Sequence, residues 1–555
     1  MAVDAITAPK ITRHTLLDTL SLTKENKGVP LHHVQRWTMQ DRYLPIGIQT
    51  FDEIRRLNAV YVDKTHLMYR LVTGGKNYFL SRPRRFGKSL LISTLRSYFE
   101  GRKDLFEGLA IEQLEKNWVP YPVLHFSLSV KRIVELEDVA YLLDNVLRDM
   151  ENLYGINAMT DRSQFGLRMK DLVYQAYAQT HQKVVLLIDE YDAPLLDTMH
   201  DKTLFHAVRQ KLRDFFSPIK DLDSKLQFVF ITGISKFNQL SIFSELNNLT
   251  NISMEDEYAA ICGITKEEIV EQLKPEIQNM AQALEIKPET VLSRLKRKYD
   301  GYHFSAQSPD IYNPLSLLKS LREKAFKNYW FDTGTPTHVT EMLSQYILRP
   351  EELEGFSAGE MDFNIAFEIA ETPIPMLYQS GYLTIKSCKN NIYKLGFPNE
   401  EVRVSFIKGL APYYTNATAT RNNAFIIKLI CALNDADVDQ AMTLLRAFYS
   451  SIPYDAEKQD ENHYKTVFYL IFTLVTEYCV RTEERSAAGR CDAMIETDNT
   501  IYLFEFKLAG TAEEALKQID DKGYAIPYEA GDKKVVKVGV NFDKTKRTIE
   551  RWVTG

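Results

Sequence analysis

The sequence predicts an α/β fold with a mainly parallel sheet, followed by helices and then a second, smaller α/β unit. Three observations carry this expectation. Short apolar runs at 77–80, 122–128, 184–188 and 226–232 alternate with helical spacing at 88–100, 136–153 and 202–216. Strands and helices in that order pack as a parallel sheet. The run Val184-Val185-Leu186-Leu187-Ile188 is apolar without interruption, as a strand buried on both faces requires. Near the C-terminus, strand patterns at 490–496 and 501–508 flank Thr497-Asp498-Asn499-Thr500, a turn sequence, and a helix at 512–522 and a strand at 534–540 follow.

With 555 residues the chain is too long for one core, and two to four domains are expected. Residues 1–42 are polar and mixed, broken at Gly28-Val29-Pro30, and read as an N-terminal extension. The first α/β unit spans 43–264. A helical extension runs over 265–350, interrupted at Tyr299-Asp300-Gly301-Tyr302, and a mixed connector over 351–440. The second α/β unit is 441–555 and opens on a long helical pattern at 462–480. No repeat or low-complexity tract is present.

The composition, 45% hydrophobic and 26% charged with net charge −6, is that of a soluble globular protein. It carries no bulk signature of nucleic-acid binding, so any such surface must be a local patch. The five cysteines are scattered and form no Cys-x-x-Cys pair, which argues against a disulfide scaffold or a structural zinc site. No apolar run approaches the ~20 residues of a membrane span. The N-terminus lacks the long apolar stretch of a secretory signal. A cytoplasmic protein with no membrane association is expected.

The first candidate site lies between the strand at 77–80 and the helix at 88–100. The segment Ser81-Arg82-Pro83-Arg84-Arg85-Phe86-Gly87-Lys88-Ser89 ends in Gly-Lys-Ser. Glycine lets backbone N–H groups approach phosphates, lysine reaches the β- and γ-phosphates, and serine holds Mg²⁺. The helix that follows offers its N-terminus to the anion. Arg82 stands where the usual loop has its first glycine, and Gly-Lys-Ser alone would read as a basic surface turn. About a hundred residues on, however, an apolar strand ends in Asp189-Glu190. That places one carboxylate for Mg²⁺ and one to orient the attacking water. Together the two elements predict a P-loop NTPase domain that binds ATP with Mg²⁺ or Mn²⁺. Arg85, Gly87, Lys88, Ser89 and Asp189 are its binding residues, Ser89 and Asp189 hold the metal, and Glu190 is catalytic. Thr232, at the end of the next strand, is a candidate γ-phosphate sensor. Arg82, Arg84 and Arg85 are candidates for phosphate contact, and no arginine finger stands out.

The second candidate site is Asp492 followed by Glu505 and Lys507. Alternation along a strand puts Glu505 and Lys507 on one face, with Phe504 and Phe506 on the other. The short turn brings Asp492 close to Glu505. Two carboxylates this close repel unless a cation lies between them, and oxygen ligands of this kind suit Mg²⁺ or Mn²⁺. Such an ion activates water and stabilises phosphate charge, and Lys507 positions or deprotonates the nucleophile. An amphipathic hairpin with a solvated charged face is the plainer reading. Against it, Glu505 and Lys507 sit inside a strongly apolar run, which a solvated strand does not need. Cys491 reads as small apolar filler.

The runs LPIGIQTFDEIR, YVDKT, RPRRFGKSLL, LLIDEYDAPL, FITGISKFNQLSIFSELNNL and YDGYHF closely resemble the AAA-ATPase-like proteins that carry a C-terminal PD-(D/E)xK nuclease domain. The resemblance covers roughly residues 44–555. It implies an AAA-like P-loop domain with a helical extension plus a small restriction-endonuclease-like domain, and it makes the arginine at 82 that family's own form of the loop. It also implies that Gln518 and Tyr524 form the Gln-x-x-x-x-x-Tyr element of one branch of the nuclease fold. Glu461 is carried over as a further metal ligand, with Glu477 and Glu483 as rivals. The expected function is that of a nucleotide-regulated, metal-dependent nuclease acting on DNA, with RNA a further reading. The alternative is an ATP-dependent switch whose C-terminal domain binds nucleic acid without cutting. A homo-oligomer is compatible with either.

Overall fold

The computed structural model describes residues 42–156, 161–236, 248–330, 350–366, 370–415, 418–451, 461–475, 492–507, 510–543, 546 and 548–555. The side chains of 413, 419, 461–465 and 468 lie outside the description. A five-stranded sheet forms from β1 (Asn77–Ser81), β2 (Val123–Ser127), β3 (Val184–Asp189), β4 (Leu226–Gly233) and β5 (Thr250–Asn251). Its order is β2-β3-β4-β1-β5, and every pairing is parallel. Parallel order forces each connection to cross a sheet face, so both faces are covered by helices and all six residues of β3 are buried. Helices Leu136–Leu153, Phe165–Thr180 and Lys202–Phe216 supply much of that cover. The fifth strand is only two residues long, too short to show as a periodic pattern.

A separate apolar cluster forms over 264–329. Helices Lys266–Gln272, Lys274–Ala283, Pro288–Tyr299 and Pro314–Glu323 pack through Ile269, Met280, Leu295 and Leu317. The short antiparallel pair β6 (Ile264–Thr265) and β7 (Ile311–Tyr312) ties it together. Leu44 and Val60 join this cluster rather than the main core, so the first described segment bridges the sheet domain and the helical region.

Residues 351–440 hold more regular structure than a connector suggests. β8 (Phe356–Ala358), β9 (Thr384–Lys389) and β10 (Ile392–Gly396) form an antiparallel sheet in the order β8-β10-β9. Helices Glu400–Thr415 and Ala419–Asn434 follow. The last sheet contains β11 (Ala493–Glu496), β12 (Thr500–Lys507), β13 (Lys534–Asp543) and β14 (Thr548–Thr554), in that order. β12 and β13 are parallel and joined across helix Ala512–Asp521, while the outer pairings are antiparallel.

Both faces of β12 are covered. Ile501 and Leu503 pack with Ile519 of the crossover helix. Phe504 and Phe506 meet Phe472 of helix Glu461–Val475 at 5.4 and 6.2 Å between ring centroids. This two-sided burial explains the continuous apolar run. Helix 462–480 of the sequence reading is described over Glu461–Val475. The C-terminal sheet does not stand apart: the Tyr502 hydroxyl donates to the Leu433 carbonyl at 2.6 Å, and the Arg446 guanidinium donates to the Ile549 carbonyl at 2.8 Å.

Candidate active sites

Residues 81–87 leave the C-terminal end of β1 and turn into helix Lys88–Phe99. Gly87 takes φ 91°, left-handed backbone that glycine adopts without strain. Phe86 anchors the loop from below, edge-on to Tyr302 and Phe304 with centroids 4.7 and 5.2 Å away. The Lys88 ammonium is buried and donates to the carbonyls of Arg82 and Pro83 at 2.9 and 3.1 Å. Burial pushes its pKa down, opposed by Glu190 and then Asp189. An unpaired buried ammonium would cost several kcal/mol, and the loop's own carbonyls offset that.

Arg82 overturns one expectation. Its guanidinium does not face the phosphate side but is only 1% exposed. It donates to the carbonyls of Ser81, Ser253 and Tyr258 and lies 4.2 Å over the Phe304 ring. Where the usual loop has glycine, this chain uses the side chain to tie the loop to the segment after β5. Arg85, at φ 68°, sits on the wall of the adjacent cavity, and its guanidinium donates to the Trp330 carbonyl. Arg84 is exposed on the same wall.

Asp189 ends β3, is buried, and accepts a 2.6 Å hydrogen bond from Thr232 Oγ1 of β4. Thr232 is therefore committed to Asp189, and neither residue is on the cavity wall. Glu190 is on it, half-buried, with φ 52°. Left-handed backbone at a non-glycine residue costs on the order of 1–3 kcal/mol and is held by its surroundings. Asp192 was not singled out from sequence. Its buried carboxylate accepts from the N–H groups of Ile234 and Ser235 at 2.9 and 2.6 Å, and burial pushes its pKa up. It joins the ends of β3 and β4 across the crevice.

The cavity has a volume of about 730 Å³. Its lining includes polar groups, Lys88, Ser89 and Glu190, and apolar ones, Ile46, Ile48, Val60, Tyr61, Leu315 and Leu318. It opens at the C-terminal ends of parallel strands, where α/β sheets bind ligands. Its size suits a ligand with one charged and one flat apolar end.

In the C-terminal sheet, Asp492 and Glu505 come together as the strand register requires, since Ala493 pairs with Phe504. Asp492 Oδ2 accepts from Phe506 N–H at 2.8 Å, and Asp492 N–H points at Glu505 Oε2 at 3.4 Å. Asp492 is exposed and Glu505 buried. Burial, and then the Asp492 charge, push the Glu505 carboxyl up to about 7. Gln518 bridges the pair Glu505 and Lys507: its amide donates to Glu505 Oε1, and its oxygen accepts from Lys507 Nζ at 2.5 Å. Tyr524 is buried with Met494, Leu503 and Ile519.

Gln518 reaches Glu505 because the helix lies close on the sheet. Gly539 pairs in register with Glu505. A Cβ there would stand 2.5 Å from Leu516 N and closer still to the Ala512 carbonyl, so glycine at 539 sets the approach. Sequence reading passed over it as one glycine among 24. The donor set fits a hard divalent cation: two carboxylates, one drawn toward protonation by burial and by the other, with a lysine beside them. No group of three metal-ligating side chains occurs among the described residues. Glu461 is the first residue of its helix, but its carboxylate, like Glu477 and Glu483 entire, lies outside the described residues.

Comparison with known proteins agrees with this division. The family described as Predicted AAA-ATPase matches residues 45–243, and the PD-(D/E)XK nuclease superfamily matches 459–552. The chain is 34% identical over 532 residues to the "Uncharacterized protein in vnfD 5'region" of Azotobacter chroococcum mcd 1, covering 93% of this chain and 99% of that protein. No described helix is long and apolar enough to cross a membrane.

Proposed function

The chain belongs to the AAA-ATPase-like proteins with a C-terminal PD-(D/E)XK nuclease domain, and from that premise we propose that it is a nucleotide-regulated, divalent-metal-dependent nuclease acting on DNA. One observation carries the reading: Gln518 bridges Glu505 and Lys507 beside Asp492 at the end of a strand whose Ile501, Tyr502, Leu503 and Phe504 are core. A solvated hairpin face has no need to bury a carboxyl at the cost of raising its pKa. In this reading Asp492 and Glu505, with Glu461, would hold Mg²⁺ or Mn²⁺, which supplies Lewis-acid stabilisation of phosphate charge. Gln518 fixes the Lys507 ammonium so that it faces the scissile phosphate and the attacking water.

At the first site ATP would lie with its phosphates against Gly87, Lys88 and Ser89 and its base against the apolar lining. Ser89 would hold its Mg²⁺, Asp189 behind the wall would reach the ion through water, and Glu190 would orient the attacking water. Regulation has a physical route. Arg85 holds the Trp330 carbonyl, while the N–H groups of Tyr329 and Trp330 both donate to the buried Glu401 carboxylate. Glu401 belongs to helix Glu400–Thr415, which packs on helix Glu461–Val475 and so reaches β12. A phosphate that draws Arg85 away from a neutral carbonyl, as the stronger charge-assisted bond would, alters the first contact in that series.

The test is incubation of purified protein with linear, circular and single-stranded DNA and with RNA, varying Mg²⁺, Mn²⁺ and ATP. Divalent-dependent DNA cleavage whose rate responds to ATP is expected. Cleavage of RNA alone reassigns the substrate. Binding without any cleavage puts the switch reading ahead.

A further inference from the structure

Among the described residues, six cations line the cavity at the end of the first sheet: Lys64, Arg84, Arg85, Lys88, Lys131 and Arg132. Four are already engaged. Lys64 pairs with Glu268 at 2.5 Å, Lys88 and Arg85 hold backbone carbonyls, and Lys131 pairs with Asp138 at 2.5 Å while lying 4.7 Å over the Tyr141 ring. Arg84 belongs to the phosphate loop itself. Arg132 belongs to no motif, and it makes no hydrogen bond or ion pair with any described residue.

Its backbone is nonetheless held firmly. The segment leaves β2 at the same sheet edge as the phosphate loop and Glu190. It is pinned at its start by Leu128 N–H donating to the Asp189 carbonyl at 3.1 Å. It is pinned again next to Arg132, where Ile133 N–H donates to Asp197 Oδ2 at 2.9 Å and the Ile133 side chain is buried. Asp138 turns the other way, capping helix Leu136–Leu153 through the N–H groups of Val134 and Glu135. An uncompensated guanidinium on an anchored loop, at the wall that also carries Glu190, calls for an anion in the cavity.

We propose that Arg132 contacts the terminal phosphate of the bound nucleoside triphosphate, in cis, and stabilises the charge that develops there during hydrolysis. This rests on the reading of the cavity as an ATP site. In the step, a water oxygen bonds to Pγ and the bond from Pγ to the bridging oxygen breaks, its electron pair remaining on ADP. A water proton passes by way of Glu190 to solvent. Arg132 donates hydrogen bonds to the γ-oxygens and is not consumed.

The experiment measures ATP and ADP affinity by calorimetry, and steady-state ATP hydrolysis, on full-length wild type, Arg132→Ala, Arg132→Lys and Lys88→Ala. Arg132 is exposed, so Arg132→Ala should melt with the wild type. It should bind ADP unchanged, lose most of any preference for ATP over ADP, and hydrolyse ATP about a hundredfold more slowly or worse. Lysine should restore part of the ATP preference and little of the rate, because it lacks the planar fork. Lys88→Ala should weaken both nucleotides. An Arg132→Ala protein with unchanged hydrolysis and an unchanged ATP-to-ADP affinity ratio overturns the proposal. A wild type that binds neither nucleotide, like Lys88→Ala, removes the ATP-site reading and this role together.

Discussion

The two candidate sites manage charge in opposite ways. At the phosphate loop, positive side chains are mostly engaged within the protein: Lys88 by loop carbonyls, Lys64 by Glu268, Arg85 by the Trp330 carbonyl. Most of its cations are held by partners within the protein, and Arg84 and Arg132 are left on the wall. At β12 burial, and then the facing Asp492 charge, shift Glu505 toward protonation. A site whose cations are so held changes little in stability when a residue is altered but loses ligand contacts. A site under repulsion loses its chemistry and can gain stability when a charge is removed.

The largest effect that could break this contrast is on cleavage. Asp492→Ala and Glu505→Ala should each lower DNA cleavage by about a thousandfold or more, as removal of a metal ligand implies. Both proteins should stay folded by circular dichroism. Next, Lys88→Ala should weaken ATP binding by about a hundredfold, the expected scale for truncating one partner of a buried charge contact. Glu190→Gln should keep affinity and slow hydrolysis, with calorimetry and phosphate release separating the two. Lys507→Ala should then slow cleavage by about a hundredfold while leaving metal affinity nearly unchanged.

A smaller effect would sharpen the comparison. Gly539→Ala should push helix Ala512–Asp521 outward, destabilise by about 1–3 kcal/mol, and weaken the hold of Gln518 on Glu505. A urea titration and the cleavage rate at a permissive temperature report the two parts.

The smallest effect concerns pH. The folded Glu505 carboxyl sits at about 7, above its ordinary value of 4.5. The folded state therefore holds the proton more tightly than the unfolded one. Any stability so gained is fully present below about pH 4.5 and is lost as pH rises through 7. In metal-free buffer, Glu505→Gln should thus match the wild type near pH 5 and be the more stable protein at pH 8, by on the order of 1 kcal/mol. Equal melting temperatures at both pH values would show that neither burial nor Asp492 raises the Glu505 carboxyl.

Much of the first domain was legible because its long strands are mostly apolar, β3 without interruption up to Asp189, and the chemical residues stand at or just after strand ends. The two-residue β5 was not, because pairing with Tyr78 and Phe79, not periodicity, makes it a strand. Arg82 was misread because position in the loop suggested phosphate, whereas its partners lie about 170 residues away in sequence. The pairings of Asp192 with Ile234, 42 residues on, and of Arg85 with Trp330, 245 residues on, likewise come only from the folded chain. At β12, alternation correctly put Glu505 and Lys507 on one face, and the Gln518 bridge follows from a helix crossing that face. Tyr524 is buried beside Met494 and Leu503, where the chain turns back after the helix. Gly539 matters through a close approach that only the packed sheet reveals.

The central claim is that Asp492 and Glu505 hold a divalent ion, and a melting curve with and without Mn²⁺ tests it most directly. Wild type should be stabilised by about 2.7 kcal/mol at a hundredfold excess over Kd, while Asp492→Ala and Glu505→Ala should show no shift at the same concentration. Equal Mn²⁺ shifts in wild type and both variants, or no shift in wild type across the titration, would contradict the assignment.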